Sequence, residues 1–305
     1  MPHPDLKVEG PAFEHERSAF IGGSDIAAIL GISPWANQVD LWIKKTRLAG
    51  DDTSNLQAKK RGSRLEPYIR QMITDEYGLQ IVRHGMRYYD ADIPYFCAEI
   101  DFEAADPAGG ADINGEIKTS MFNSKDWGPT GTDQLPEHYL AQVQWGMGVN
   151  GAQECRVFAL LGDNLKGYTV QRDDELITAM RKLASEFWTQ YVMTGIRPPI
   201  EHGHPSALET LRKLYPGTDG TTVKATETHE HWRKVIEDAQ ARVKRYEAIV
   251  DEGKAHLMDE MGSAAILAFP DGLGYVRKEV KRATYTVEAT AYVDMRLKKL
   301  KENKE

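Results

Sequence analysis

The sequence predicts an α/β fold of the mixed (α+β) kind, a mixed central sheet flanked by helices, with a C-terminal helix and β-hairpin appendage. Three observations predict it. Apolar or alternating runs at 79–83, 86–90, 95–101 and 113–119 follow a helical N-terminal region and read as a β-meander. A helical stretch from Pro136 to Val149 then precedes a second pair of strands near 155–161 and 167–172. After Pro198-Pro199 the composition shifts to a long charged helix and a turn-centred hairpin, which marks a boundary between a core (1–205) and an extension (206–305).

Each element has its local reason. Residues 1–16 are polar and proline-rich and read as a flexible lead-in. Gly22-Gly23-Ser24-Asp25 opens a short helix ended by Gly31, with Ser24 as the expected N-cap. Ser33-Pro34-Trp35 turns the chain into a second helix over about Val39 to Leu48, and a polar loop from Gly50 to Asn55 leads to a third. That third helix stops at Gly78, and Pro67 inside it predicts a kink or a late start. A helix from Asp173 to about Met193 closes the core. Glu201 to Pro205 and Tyr215 to Gly220 read as linker, Ala225 to Met261 as one helix, and Pro270-Asp271-Gly272 as the turn of a hairpin before a basic tail.

Composition narrows the class. The 305 residues, 41% hydrophobic and 28% charged, suffice for a substantial core in one large domain plus an appendage. No apolar run approaches the ~20 residues of a membrane span, and Met1-Pro2-His3-Pro4-Asp5 does not begin a signal peptide, so a cytoplasmic setting is expected. Two cysteines, Cys97 and Cys155, are too few for a four-cysteine iron–sulfur cluster and sit in apolar runs as inert core residues. The net charge of −8 argues against coating DNA through global charge. It leaves room for local basic patches at 56–70 and in the tail from Val276, which a solvated helix face explains equally well.

The chemistry concentrates around Glu116-Ile117-Lys118, with Asp101 fifteen positions upstream and Gln142 downstream. Two carboxylates suit a hard cation such as Mg²⁺, and strand alternation puts Glu116 and Lys118 on one face while Ile117 turns into the core and offers its backbone carbonyl. Glu-x-Lys alone means little, because it recurs at Glu252/Lys254, Glu279/Lys281 and Glu302/Lys304. Glu252/Lys254 and Glu302/Lys304 lie in charged helical stretches. Glu279/Lys281 falls on an expected strand, but its upstream Asp271 belongs to a turn. Only Glu116 follows an acid closing an apolar run and a glycine-rich reversal. Glu66 reads either as a solvated partner of Arg70 or as a third carboxylate beside the metal. Gln142 and Gln144, set in an apolar helix, need partners if buried. Gly22-Gly23-Ser24 is a plausible anion seat, to which Arg17 adds a guanidinium. His202 and His204 read as incidental loop histidines rather than metal ligands.

Arg17 with Ile21-Gly22-Gly23-Ser24-Asp25, Gly62-Ser63-Arg64-Leu65-Glu66-Pro67, Ile100-Asp101, Glu116-Ile117-Lys118 and Tyr139-Leu140-Ala141-Gln142-Val143-Gln144, in this order, resemble the phage lambda exonuclease and YqaJ-type viral recombinase family. That family lies within the PD-(D/E)XK superfamily, and the resemblance spans roughly residues 13–195. It implies a restriction-endonuclease-like core and a Mg²⁺-dependent 5′→3′ exonuclease, with Mn²⁺ able to substitute. Such an enzyme digests linear duplex DNA and leaves 3′ overhangs for a single-strand annealing partner in phage-type recombination. It further implies Asp101, Glu116 and the Ile117 carbonyl as metal ligands, Lys118 as the catalytic lysine, and Glu66 and Gln142 as supporting site residues. Arg17 and Ser24 become the 5′-phosphate pocket, and a ring-shaped homotrimer in a bacterial host, phage or prophage encoded, becomes the expected assembly. Two departures stand out: a longer spacing from Asp101 to Glu116, and everything after about residue 205. The competing readings are an endonucleolytic or structure-specific nuclease of the same superfamily, separable by a closed circular substrate, and a catalytically silent DNA-binding scaffold.

Overall fold

The computed structural model describes residues 4–6, 16–48, 56–105, 112–121, 126–281 and 295–297. The loop from Gly50 to Asn55 and most of the basic tail lie outside the described residues. The chain divides into two compact units, Met1–Tyr215 and Pro216–Glu305.

The first unit is built on a six-stranded mixed sheet in the order β1 to β6: β1 (Pro4–Leu6), β2 (Ile81–Tyr89), β3 (Cys97–Ala104), β4 (Ile113–Ser120), β5 (Glu154–Leu161) and β6 (Asn164–Gln171). All neighbours are antiparallel except β4 and β5, which run parallel with Glu116 beside Val157 and Lys118 beside Ala159. A parallel pair cannot be closed by a tight turn, and here α4 (Glu137–Asn150) makes the connection. The remaining helices are α1 (Gly23–Ile29), α2 (Gln38–Thr46), α3 (Leu56–Tyr77), α5 (Asp174–Phe187) and α6 (Ala207–Leu214), with a π-helical turn over Trp188–Val192 extending α5.

Helices cover both faces of the sheet. On one, Ile26 and Ile29 of α1, Trp42 of α2, Trp145 of α4 and Met180 of α5 bury against Phe96, Ala98 and Ile100. On the other, Ile69 and Ile73 of α3 pack on Phe102, Ala104 and Phe158. Strand β5 serves both layers, because Val157 and Ala159 point toward Val143 and Met147 while Phe158 points toward α3.

Several elements depart from the expectations. Pro4–Leu6 pairs with Tyr88, Arg87 and Met86 as an edge strand within the stretch expected to be a lead-in. The runs at 79–83 and 86–90 form one strand, since Gly85 adopts φ 63 between them and pairing with β3 continues on either side. Helix α3 begins well before Pro67 and continues past it, so it does not start late. The N-cap of α1 is Gly22 and not Ser24, because the Asp25 carboxylate reaches back to the Gly22 N–H at 3.0 Å. The first unit also extends past 205. Asn37 donates to Ser206 at 2.8 Å and to Thr210 at 2.9 Å, Ser206 donates to Asp40 at 2.7 Å, and a His204 ring nitrogen lies 2.8 Å from the Ser33 carbonyl. These side chains are buried together, so α6 is latched to the start of α2. His204 is accounted for by that latch.

The second unit holds α7 (Glu227–Met261) and a hairpin of β7 (Ile266–Ala268) and β8 (Gly274–Val276) joined through Asp271-Gly272. Glu279 and Lys281 lie beyond β8, exposed and outside any strand, which corrects the strand expected there and removes the decoy triplet. Among the described residues no helix is long and apolar enough to cross a membrane.

Candidate active site

A cavity of about 420 Å³ opens between α1, α3, α4 and the strands β3 and β4. Arg17, Ser24, Glu66, Asp101, Glu116, Ile117, Lys118 and Gln142 all line it, so the residues singled out in the sequence converge on one space.

Strands β3 and β4 supply the acids. Phe102 stands opposite Gly115, which brings Asp101 and Glu116 onto adjacent strands, and Asp101 Oδ2 accepts the Ile117 N–H at 2.9 Å. Alternation works as expected: Glu116 and Lys118 face the cavity, while the Ile117 side chain packs toward the α3 layer. Lys118 Nζ is 2.6 Å from Glu116 Oε1 and donates to Gln142 Oε1 at 3.0 Å, and Gln142 Nε2 donates to Glu116 Oε1 at 2.6 Å. Three side chains from two elements thus close a ring of charge-assisted hydrogen bonds. Burial disfavours the Lys118 ammonium, but Glu116 and Asp101 outweigh it and hold its pKa above the ordinary lysine value. Lys118 is therefore a cation here.

Helix α4 presents Gln142 because its polar position falls on the same face as Tyr139 one turn earlier, and the Tyr139 ring lies 4.7 Å beneath Lys118 Nζ. In the sequence the signal for Tyr139 is its three-residue spacing from Gln142. Gln144 goes elsewhere. It donates to the Gln171 carbonyl at 2.7 Å and accepts from the Asp173 N–H at 2.9 Å, tying α4 to the start of α5. Glu66 lines the cavity while paired with Arg70 at 2.8 Å. Among the described residues no group of three or more His, Cys, Asp or Glu side chains is placed to hold a metal, and Glu66 shares the cavity with Asp101 and Glu116.

At the far side of the cavity Arg17 meets α1. Its guanidinium donates to Ser24 Oγ at 2.7 Å and to Glu99 Oε2 at 2.5 Å, with Asp25 Oδ2 at 3.6 Å. The two glycines permit this closeness: a Cβ on Gly22 would stand 2.9 Å from Arg17 Nη2, and one on Gly23 would stand 3.1 Å from Gln142 Cγ. Behind them Lys45, buried on α2, donates to the carbonyls of Arg17 and Phe20 at 2.8 and 2.5 Å and to Asp25 at 2.7 Å. Lys45 was invisible in the sequence, since a lysine in an amphipathic helix reads as solvated.

Both cysteines are inert, as expected. Each is buried, and burial pushes the Cys97 thiol up to about 12 and Cys155 well above its ordinary value.

Residues 12–153 match the family model of the YqaJ-like viral recombinase domain. An uncharacterized protein YqaJ of Bacillus subtilis strain 168 is 32% identical over 208 residues, which are 67% of this chain and 63% of that protein. The chain thus spans 63% of the length of the curated relative it matches. Among solved structures, an alkaline exonuclease (LHK-Exo) from Laribacter hongkongensis is similar at 21% identity and TM-score 0.46, over 61% of this chain and 94% of that one. A phage-related exonuclease from Haemophilus somnus 129PT is similar at 15% identity and TM-score 0.40, over 57% of this chain and 94% of that one. At such scores these two likenesses decide nothing about the chemistry.

Proposed function

We propose, from the match of residues 12–153 to the YqaJ-like viral recombinase domain, that the chain is a divalent-metal-dependent DNA exonuclease. It digests linear duplex from 5′ ends and leaves 3′ overhangs for recombination. The observation that carries this reading is the single cavity holding Asp101, the Glu116–Lys118–Gln142 ring, and Arg17 with Ser24. An acidic centre and a guanidinium-lined seat in one space suit a phosphodiester beside a terminal phosphate.

The donor set fits a hard cation. Asp101 and Glu116 offer carboxylate oxygens and Ile117 a backbone carbonyl, and a site with two carboxylates suits Mg²⁺, with Mn²⁺ as a substitute, because Mg²⁺ keeps several waters. When bound, the ion supplies an activated water and polarises the phosphodiester. Lys118, held as a cation by Glu116 and Asp101, orients the attacking water and faces the negative charge that develops on the phosphoryl oxygens. Gln142 fixes Lys118 and Glu116 relative to each other, and Gly62 with Glu66, the latter paired with Arg70, forms the α3 wall. Arg17 and Ser24 hold the 5′-phosphate. The further elements of the reading are a homotrimer, a single-strand annealing partner, and a phage or prophage protein acting in the bacterial cytoplasm. In the same reading the second unit serves assembly or DNA grip rather than the chemistry.

The test is digestion of 5′-phosphorylated, 5′-hydroxyl and covalently closed circular duplexes, with and without Mg²⁺. Loss of label from phosphorylated linear ends only with metal, and sparing of the circle, is the expected result. Cutting of the circle makes the protein an endonuclease instead. Arg17→Ala should erase the difference between phosphate and hydroxyl ends, a difference of roughly ten- to hundredfold from charge-assisted hydrogen bonds of about 1.5–3 kcal/mol.

A further inference from the structure

The loop that joins α1 to α2 is tied down along its backbone. Ile32 and Ser33 donate to the Ala27 carbonyl at 3.0 and 3.1 Å, Trp35 and Ala36 donate to Ser33 Oγ at 3.3 and 3.2 Å, and Asn37 donates to Asp40 at 3.1 Å. The Ser33 carbonyl lies 2.8 Å from a His204 ring nitrogen, so the α6 latch fixes the same loop. On this fixed backbone the Trp35 side chain is 58% exposed. The exposed part of an indole contributes no burial to the fold, yet a rigidly held aromatic is a low-entropy contact surface for a ligand.

Rings of α4 brace that indole and lead from it to the chemistry. Its centroid is 4.7 Å from His138 at an interplanar angle of 83°, and 6.3 Å from Tyr139. His138 and Tyr139 are 4.1 Å apart, and Trp127 backs Tyr139 at 5.5 Å. His138 Nε2 is buried without a hydrogen-bond partner among the described residues, so ring contacts are what hold the imidazole beside Trp35. Burial and the nearby Lys118 outweigh Asp126 and lower the His138 pKa, so the imidazole is neutral at pH 7 and the row of rings carries no cation of its own. The row ends at the cavity, which Tyr139 lines with its ring 4.7 Å from Lys118 Nζ. The indole thus stands within about 11 Å of that ammonium, about three steps of stacked nucleotide at about 3.4 Å each.

A base inside a duplex has both faces covered by its neighbours, whereas the terminal base of a linear end, or a base parted from its partner there, has a face open. We propose that Trp35 is a base-stacking residue of the substrate path: its indole, braced by His138 and Tyr139, takes the open face of a nucleobase at the DNA end whose phosphodiester lies at Lys118. The inference rests on the proposed nuclease reading of the cavity and adds a contact to a base where that reading has contacts to phosphate. The contact tolerates any sequence, because every base has a π-face.

The test uses a hairpin duplex with one open end, labelled in its loop. Its Kd is read by fluorescence anisotropy without divalent metal, and its KM and kcat by digestion with Mg²⁺. Trp35→Ala should raise Kd and KM roughly 5- to 100-fold, the size of one base–aromatic stack, with far less change in kcat. Trp35→Phe should stay within about threefold of the unmodified protein, because a flat ring remains, whereas Trp35→Leu, apolar but without a π-face, should lose as much as Trp35→Ala. The duplex should quench tryptophan emission less in Trp35→Phe than in the unmodified protein, since the indole that meets the base is gone. All three variants should keep a thermal midpoint close to the unmodified one, because the side chain is largely exposed. Unchanged Kd and KM in Trp35→Ala, a loss confined to kcat, or a Trp35→Leu variant as good as Trp35→Phe overturns the inference, while Mg²⁺-dependent digestion by the unmodified protein leaves the nuclease reading standing. An unmodified protein that neither binds nor digests the open end removes that reading and this inference together.

Discussion

At one end of the cavity Asp101 and Glu116 share Lys118; at the other, Arg17 meets Asp25 and Glu99, each already joined to a second cation. Among the described residues the first group sets two carboxylates beside one ammonium, and the second sets Arg17, Lys45 and Arg87 around Asp25 and Glu99. Yet Glu99 and Asp101 are alternate residues of the same strand, presented to the same face. Residue type therefore does not set the character of either end. The partners do: β4 supplies Asp101 with a backbone N–H and a shared lysine, whereas β2 and the segment before α1 supply Glu99 with two arginines. Carboxylates call for a cation and guanidinium groups for an anion, which is the division of labour that the proposed reaction needs.

The hardest break of this comparison comes at the carboxylate end. Glu116→Ala should reduce cleavage on the order of 10³-fold or more, since groups that act as one catalytic unit fail together, while Glu279→Ala should change nothing. Steady-state rates on an end-labelled duplex decide it, and normal activity in Glu116→Ala would mean the wrong triplet had been assigned.

At the arginine end the first effect is on stability. Asp25→Asn leaves Lys45 buried without its counter-charge and should cost about 3–5 kcal/mol in chemical denaturation. It should also change the acid limb. Burial pushes the Asp25 carboxyl up, but Lys45, Arg17 and Lys44 prevail and hold it below its ordinary value of 3.8. Its contribution is therefore complete above pH 3.8 and is lost as pH falls below that, so the unmodified protein should lose stability more steeply there than Asp25→Asn. Lys45 gives a second window of the same sign: burial lowers it from 10.5 to about 8, and stability declines as pH falls through that interval. A parallel acid limb in the two proteins would detach Asp25 from the network.

Gln142 tests the border between the ends, because it touches Lys118, Glu116 and the glycine turn. Gln142→Ala should lower the rate roughly 10- to 100-fold, the usual size for a residue that orients catalytic groups, with a thermal midpoint close to that of the unmodified protein. A rate within twofold would remove Gln142 from the site.

The smallest effect separates the core from the second unit. A chain ended after Tyr215 should fold and cleave short duplexes, whereas one ended after Pro205 strips Asn37 and Asp40 of Ser206 and Thr210 and should lose about 1–3 kcal/mol. Equal denaturation midpoints for the two would show that the latch contributes nothing.

Much of this was legible along the chain. The apolar helical stretch of α4, the apolar run of β5, the alternation in Glu116-Ile117-Lys118, the glycine pair before α1 and the ordered motifs from Arg17 to Gln144 are local patterns. Local patterns survive in one dimension because backbone geometry fixes which neighbours share a face. What tertiary structure alone decided is which charges meet. Lys45 and Asp25 are twenty residues apart and Arg17 and Glu99 eighty-two, and nothing in the spacing distinguishes Lys45 from a solvated helix lysine. The same holds for Glu99, an acid inside an apolar run, and for Ser206 and Thr210, whose hydroxyls complete a buried network from beyond the proline punctuation. Periodicity tells a chain which faces to bury, but a buried charge is tolerable only beside its partner, and that pairing exists only once the helices and strands have been brought together.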